Sequence, residues 1–239
     1  MSKGRRIAIV IVLILFVASL MTFLYPKISG AIIDSEMSET VQEIWDRIMR
    51  VREEWEAPHG PDERFNQDLW DALVAYNERI WEEKQAGLSD PWSYEQPSFT
   101  LGDYGLEDEA FGILIIPSLD IELPLYLGAT FDNLTHGVAH MSQTSIPIGG
   151  NNVNSVIAGH RGWKGGTFFR HLEQIQIGAK VYVMNYWDTL EYTVVETKVI
   201  SPTSVDQLLI QPGKDMLTLF SCYQKSGKQR FVVYCERTG

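Results

Sequence analysis

The stretch that decides the fold is residues 216–236, MLTLFSCYQKSGKQRFVVYCE. Two apolar runs rich in β-favouring residues flank a polar segment around Ser226, a pattern that predicts a β-hairpin. If the turn is centred near Ser226, Cys222 lies opposite Arg230, and directly opposed residues project from the same face of a sheet. The hairpin therefore places a thiol beside a permanent cation.

The other face of the hairpin is predicted to pack into a core, because side chains alternate between the two faces of a strand. This face carries Leu217, Leu219, Phe231, Val233 and Cys235. The predicted register puts Cys235 opposite Leu217, so we expect Cys222 and Cys235 to remain thiols. A neighbouring positive charge lowers the pKa of a thiol and favours the nucleophilic thiolate. From the hairpin alone, a buried structural cysteine beside a solvated arginine is an equal alternative.

The N-terminus has the pattern of a membrane anchor. Basic residues precede the uncharged run Ile7–Tyr25, which is followed by Pro26 and Lys27. Nineteen residues are enough to cross a hydrocarbon core of about 30 Å. The basic flank predicts a cytoplasmic N-terminus. An uncleaved signal-anchor is favoured over a cleaved signal peptide, whose apolar core is shorter, about 7–15 residues. We therefore expect a single-pass protein of the cell membrane with an extracellular domain.

The rest of the chain is acidic. The chain holds 20 Lys and Arg against 31 Asp and Glu, and four of the basic residues lie within residues 1–27. The remainder therefore carries 16 basic and 31 acidic residues, a net charge of −15. Nucleic-acid binding requires basic patches, so this balance argues against a nucleic-acid partner. It suits a solvated domain outside the cytoplasm.

Residues 28–86 are predicted to form a helical extension. Apolar residues recur every three or four positions on both sides of the segment Pro58–Pro61, which predicts two helices in a hairpin, the first beginning near Ile33. A long loop rich in Gly, Pro and aromatic residues follows at Gly87–Gly105. We therefore divide the chain into a basic flank and membrane anchor (1–27), the extension (28–86), a loop and linker (87–110) and a catalytic domain (111–239).

From Phe111 onward, short β-like segments alternate with turn residues, as in an all-β barrel or sandwich. Short helical turns are expected near 131–136, 168–172 and 205–209. The predicted strands are Gly112–Ile116, Ile121–Tyr126, Ser155–Ala158, Lys180–Asn185, Leu190–Ile200, Met216–Cys222 and Arg230–Cys235.

His160 is the histidine placed best for chemistry, because it follows a predicted strand in SVIAGHRGW. His140 could line the same site, although a hydrogen-bonded structural role is the stronger interpretation. No Cys or His pair has the spacing of a zinc site, and the chain has neither a phosphate loop nor a GxSxG elbow. We therefore expect no cofactor or metal, and a Cys–His–Arg set is what remains.

Two motifs around these residues resemble those of a known family. TLFSC followed by Arg230 resembles the sortase signature TLxTC with its downstream arginine, and GHRG resembles the sortase histidine segment. The resemblance extends over residues 111–236. It implies a closed β-barrel of about eight strands with short helices, and it gives His160, Cys222 and Arg230 the three catalytic positions. Ser221 replaces the usual threonine before the cysteine and keeps a hydroxyl group, so it is a further candidate for lining the site.

The loop before the barrel suggests a subclass. Asp90-Pro91-Trp92 resembles the lid of class C, pilus-building sortases, which implies that Asp90 pairs with Arg230 and Trp92 packs over Cys222. The alternative is a proline-stiffened linker whose tryptophan is simply buried. Members of that class commonly carry a second, C-terminal membrane segment, and residues 1–239 do not include one.

The resemblance implies a membrane-anchored cysteine transpeptidase of Gram-positive cells, a hydrolase and acyltransferase in reaction type. Its Cys222 would cleave an LPXTG-like sorting signal on a surface protein or pilin through an acyl-thioester. The acceptor would be a pilin Lys amine or, alternatively, a peptidoglycan cross-bridge amine of the cell wall. A membrane-tethered assembly scaffold and a papain-like peptidase are the other classes considered. A papain-like enzyme has its cysteine near a helix start and its histidine downstream, the reverse of the order here.

Overall fold

The catalytic region is a closed barrel of eight strands. The computed structural model describes residues 3–56, 63–89, 94, 97–106, 110–224 and 228–239. Around the barrel the strands follow the order β1-β2-β3-β4-β7-β8-β6-β5. The strands are β1 Ala110–Ile116, β2 Ile121–Leu127, β3 Val138–His140, β4 Val153–Gly159, β5 Lys180–Met184, β6 Thr189–Ile200, β7 Asp215–Tyr223 and β8 Gln229–Arg237. The predicted barrel is confirmed, and β3 was missed because three residues carry too little alternation to show a pattern.

In the part of the chain that the structure describes, three α-helices accompany the barrel: α1 Lys3–Glu56, α2 Gln67–Glu82 and α3 Phe131–His136. Short 3-10 turns lie at Leu101–Tyr104, Pro117–Leu119, Leu172–Gln174 and Val205–Leu208. The helical turn expected near 168–172 consists of isolated turns, in which the amides of Arg170 and Leu172 donate to the carbonyls of Thr167 and Phe169, and the regular 3-10 turn begins at Leu172. Phe168 has a φ of 41°, outside the right-handed helical region, and the amide of Phe169 donates to the carbonyl of His160 at 2.9 Å.

Helix α1 continues across the boundary drawn at residue 27 between the membrane anchor and the helical extension, so the helix expected to begin near Ile33 is part of a longer one. It runs for 54 residues with Pro26 inside it. A proline removes one backbone hydrogen bond, which bends or weakens a helix but does not end it when strong helical segments lie on both sides. Its apolar first part is exposed and is long enough to cross a membrane. Its second part packs on the barrel through Val41, Ile44 and Ile48.

Both faces of the central strands are buried. The predicted core face of the β7–β8 hairpin packs as expected, in one cluster with Leu69, Leu73 and Ile80 of α2. The opposite face is also covered, because Phe220 and Val232 belong to a second cluster that includes the buried face of α1. On this opposite face, Phe220 and Val232 are buried, and the end of the hairpin that carries Cys222 is partly accessible.

We predict that Asn77 is a major attachment of α2 to the barrel. Its amide donates to the carbonyl of Ile146 at 3.0 Å and accepts from the Ile146 amide at 2.7 Å, and Asn77 is buried. Asn77→Ala leaves two buried backbone groups without partners and should lower the free energy of unfolding by about 2–4 kcal/mol. Urea denaturation of the full chain in detergent measures this change. Glu78→Ala, at the neighbouring exposed position, is the matched control and should change stability by less than about 0.5 kcal/mol. Equal effects of the two substitutions would contradict the prediction.

Candidate active site

The β7–β8 pairing brings Cys222 and Arg230 together. The two residues are direct partners in the antiparallel register, as predicted, and Leu217 pairs with Cys235. Nη1 of Arg230 donates to Sγ of Cys222 at 3.7 Å. Arg230 is only 6% exposed, whereas Cys222 is half-buried. The hairpin therefore presents a partly accessible thiol with a cation held against it.

The β4–β7 pairing brings His160 to the same place. These strands are parallel, and their last paired residues are Gly159 and Ser221. The next residues beyond this last pair are His160 on one side and Cys222 on the other, so the end of the parallel pair brings them to the same edge of the barrel. Oγ of Ser221 donates to the carbonyl of Gly159 at 2.9 Å and is buried between the strands. The hydroxyl that replaces the usual threonine therefore ties together the two strands that carry the site.

The imidazole of His160 lies in an aromatic setting. It stacks on Trp163 with ring centroids 4.8 Å apart, and the ring of Phe168 stands edge-on at 6.2 Å. Burial lowers the pKa of His160 from its ordinary value to about 4. The lowered pKa favours the neutral form of the imidazole at neutral pH. The GHRGW segment contained Trp163, but sequence reasoning assigned it no role.

Glu173 joins the two sides of the site and was not identified from the sequence. Its carboxylate accepts from Nε of Arg161 at 2.8 Å and from the backbone amide of Gln224 at 3.3 Å. Arg161 directly follows His160, and Gln224 lies two residues beyond Cys222. The carboxylate thus links the loop after β4 to the end of β7. Lone acidic residues carry no motif, so no signal in the sequence could have found it.

An aromatic row extends from the long loop to the histidine. Tyr94 meets Phe131 edge-on at 5.5 Å, Phe131 meets Trp163 at 5.8 Å, and Trp163 stacks on His160. Both predicted lid residues, Asp90 and Trp92, lie outside the described residues, as does the Ser226 turn of the hairpin. Tyr94 is the described residue that follows the lid motif most closely.

His140 has the structural role that sequence reasoning preferred. It is 2% exposed, and its Nε2–H donates to the carbonyl of Thr144 at 3.0 Å. It pairs with Ile157 of β4, three residues before His160, and its ring lies edge-on to that of Tyr76. Burial lowers the pKa of His140 to about 4. The structure therefore places His140 in the interior rather than beside the thiol.

The second thiol belongs to the core. Cys235 is buried opposite Leu217, and burial raises the pKa of its thiol. Neither cysteine is in a disulfide. Among the described residues, no group of three His, Cys, Asp or Glu side chains is arranged to hold a metal ion. The site thus offers a nucleophile, a group that can exchange a proton, and a fixed cation, which together suit acyl transfer through a thioester.

Comparisons with known proteins relate the barrel to one family. The family model described as Sortase domain matches residues 114–238. Sortase A of Streptococcus agalactiae is 32% identical over 129 residues, covering 52% of this chain, and the match spans about half, 51%, of that relative. The solved structure of sortase C1 of GBS Pilus Island 1 superposes with a TM-score of 0.71 at 25% identity, covering 85% of this chain and 92% of that one. Sortase C-1 of Actinomyces oris superposes with a TM-score of 0.65 at 31% identity, covering 73% and 99%.

We predict that acid destabilises the fold through His140. Because its pKa is about 4 in the folded state, the unfolded chain binds one more proton between its ordinary value of 6.5 and 4. Stability is therefore lost as the pH falls through this window, by about 3 kcal/mol for this residue. His140→Gln keeps a donor for Thr144 and should remove that part of the loss.

Urea denaturation of wild type and His140→Gln between pH 8 and pH 4 measures the effect. The two stability curves should run parallel from pH 8 to pH 7, since histidine is mostly neutral there in both states. They should converge, or cross, as the pH falls toward 4. Curves that stay parallel down to pH 4 would show that His140 contributes nothing to the acid sensitivity.

Proposed function

The chain belongs to the sortase family, and we propose that it is a membrane-anchored cysteine transpeptidase that polymerises pilin subunits. It would cleave an LPXTG-like sorting signal and transfer the acyl group to a Lys amine of the next pilin. The observation that carries this proposal is the convergence of Cys222, Arg230 and His160 at the ends of three paired strands. A scaffold without catalysis has no need of that convergence.

Cys222 is the nucleophile of the proposed reaction. Its thiolate attacks the carbonyl carbon of the threonine in the sorting signal, the C–S bond forms, and the peptide bond to the following glycine breaks. The acyl-thioester that results divides one difficult transfer into two easier steps. An incoming amine then attacks the thioester, the new amide bond forms, and the thiolate leaves.

His160 moves the protons. Burial keeps the imidazole neutral before reaction, so the proton it donates is the one that the Cys222 thiol gives up. The resulting imidazolium donates that proton to the leaving glycine amine. In its neutral form it then takes a proton from the attacking amine. Stacking on Trp163 fixes the plane of the ring through both transfers.

Arg230 supplies the positive charge of the site. Its guanidinium is buried and lies 3.7 Å from Sγ, so it favours the thiolate and stays close to the carbonyl carbon under attack. A planar group with several donors can also stabilise the developing oxyanion or hold the substrate backbone. No metal is required for this stabilisation.

Two observations support the membrane and pilus parts of the proposal. The exposed apolar part of α1 is a candidate membrane anchor, which would hold the barrel at the outer surface of the cell. The structural relatives described above are class C enzymes, and one comes from a pilus island. The curated relatives include enzymes named sortase A, which keeps transfer to a peptidoglycan cross-bridge amine as the alternative.

A lid over the thiol is part of the proposal. In this arrangement Asp90 pairs with Arg230 and Trp92 covers Cys222 until the loop moves. The row of rings from Tyr94 to His160 supports the lid. Tyr94 follows Trp92 by two positions, and its ring is joined to His160 through Phe131 and Trp163. Pro97 packs on Gly128, so the loop is also anchored farther along the chain.

We expect Cys222→Ala to abolish both release of the glycine fragment and transfer to an amine. The assay incubates the full chain in detergent with a sorting-signal peptide and either a pilin Lys peptide or a cross-bridge mimic, followed by mass spectrometry. Arg230→Ala should lower kcat by roughly 10²–10³-fold, because it removes charge stabilisation in the transition state. Cys235→Ala, at the core thiol, is the matched control and should remain active.

Three results would overturn parts of the proposal. Fragment release by Cys222→Ala would remove the nucleophile. Hydrolysed product alone, with acceptor in excess, would favour a peptidase. Transfer to the cross-bridge mimic but not to the Lys peptide would favour cell-wall anchoring over polymerisation.

We expect Asp90→Ala and Trp92→Ala to accelerate alkylation of Cys222 by iodoacetamide by roughly tenfold, because each removes one contact that closes the lid. Intact-mass measurements over time give the rate, and Cys235→Ala in each background confines the label to Cys222. Tyr94→Ala tests the row of rings separately. An unchanged rate in both Asp90→Ala and Trp92→Ala would count against an occluding lid.

A further inference from the structure

Helix α1 makes polar contacts with the loop that follows His160. The carboxylate of Asp34 accepts from the backbone amide of Thr167 at 2.7 Å and from its hydroxyl at 2.9 Å. Five residues earlier on the helix, the hydroxyl of Ser29 donates to the carbonyl of Lys164 at 2.9 Å. These three hydrogen bonds join residues about 133–135 positions apart in the chain.

The backbones of α1 and this loop also touch directly. A Cβ atom on Gly30 would overlap the carbonyl of Gly165, and a Cβ atom on Gly165 would overlap the carbonyl of Pro26. Gly165 has a φ of +99°, which disfavours any other residue there. The pair of glycines lets the helix and the loop approach more closely than side chains would allow.

The other side of the loop holds the catalytic imidazole. Trp163 stacks on His160 and its carbonyl accepts from the Gly166 amide at 2.8 Å, which closes a tight turn. The guanidinium of Arg170 donates to the carbonyls of Gly165 and Gly166, each at 2.7 Å. The segment from Trp163 to Thr167 is therefore a single turn with α1 on one side and His160 on the other.

We propose that Asp34 is a positioning residue, through which the membrane-anchor helix braces the turn Trp163–Thr167 and so aligns His160 with Cys222. The inference deepens the proposed function and rests on it. The turn holds two glycines, at 165 and 166, and Gly162 directly precedes it; glycine gives a backbone wide freedom when nothing restrains it. Two hydrogen bonds to the Asp34 carboxylate restrict the backbone at Thr167, where the turn ends, in addition to the bonds from Arg170 and Ser29.

The brace also places the site relative to the membrane. The uncharged run ends at Tyr25, and Ser29 and Asp34 lie four and nine residues farther along the same helix. At 1.5 Å per residue these positions are about 6 and 14 Å beyond the end of the run. The turn that carries Trp163 is thus held next to the bilayer surface. Anchoring and alignment of the histidine are performed by one helix.

The test compares Asp34→Ala, Asp34→Asn and Thr167→Val in the full chain reconstituted in lipid nanodiscs. Glu39→Ala, an exposed acidic residue on the same helix, is the matched control. Hydrogen–deuterium exchange of residues 160–169 reports the mobility of the turn without any substrate. Steady-state transfer to an amine reports kcat and KM separately.

We expect Asp34→Ala to raise amide exchange in residues 160–169 by roughly tenfold while the barrel strands stay protected. It should lower kcat by roughly tenfold with KM within about twofold, because misalignment of a proton-transfer group acts on the transition state. Asp34→Asn keeps an acceptor for the Thr167 amide and should recover most of the rate. Asp34→Ala and Thr167→Val together should lose no more than Asp34→Ala alone.

Two outcomes would overturn the inference. Unchanged exchange in residues 160–169 would show that Asp34 does not restrain the turn. Faster exchange with an unchanged kcat would show that the turn does not position His160.

If the wild type transfers no sorting-signal peptide, the proposed function fails, and exchange alone then decides whether the brace exists. If Asp34→Ala does not fold, Thr167→Val takes its place. This variant removes only the hydrogen bond from the Thr167 hydroxyl, and its amide exchange and kcat are compared with those of the wild type.

Discussion

The whole site depends on the pairing of strand β7 with two neighbours of opposite direction. Its parallel partner β4 ends at Gly159, and its antiparallel partner β8 begins with Gln229 and Arg230. Backbone hydrogen bonds fix both registers, and a slip of one residue would turn every side chain to the other face. The pairing of β7 with its two neighbours therefore places Arg230 and His160 at the same end of the strands as Cys222. The hydroxyl of Ser221 bonds across the β4–β7 pair at that point.

The barrel makes this geometry rigid because it leaves little surface uncovered. One face of the central strands packs in a cluster with α2, and the other packs in a cluster with α1. A slip in register would expose buried apolar groups on both faces at once. Such a frame can hold a buried guanidinium beside a thiol and can keep an imidazole neutral by burial.

Contacts distant in sequence complete the site around this frame. Glu173 connects the loop after His160 with the end of β7, and Asp34 connects the same loop with the helix that carries the apolar run. Each contact is a carboxylate that accepts from a backbone amide and one further donor. A chain of aromatic rings extends from Tyr94 toward the same histidine. The three proposed catalytic groups thus lie where the barrel, helix α1 and the long loop meet.

Local pattern was sufficient for much of this protein. Alternation and turn residues predicted the barrel strands, and the centre of the hairpin predicted the pairing of Cys222 with Arg230, because strand period and hairpin register depend on near neighbours only. Other features could be seen only in the tertiary structure. They are the continuity of α1 through Pro26, the three-residue strand β3, the second buried face of the strands, and the contacts of Asp34, Trp163 and Glu173. A carboxylate on a helix has no pattern that names its partner some 130 residues away, since that partner is chosen by packing. The pairing of Cys222 with Arg230 on adjacent strands could therefore be predicted from the sequence, whereas the distant contacts that surround this pair were decided by the fold.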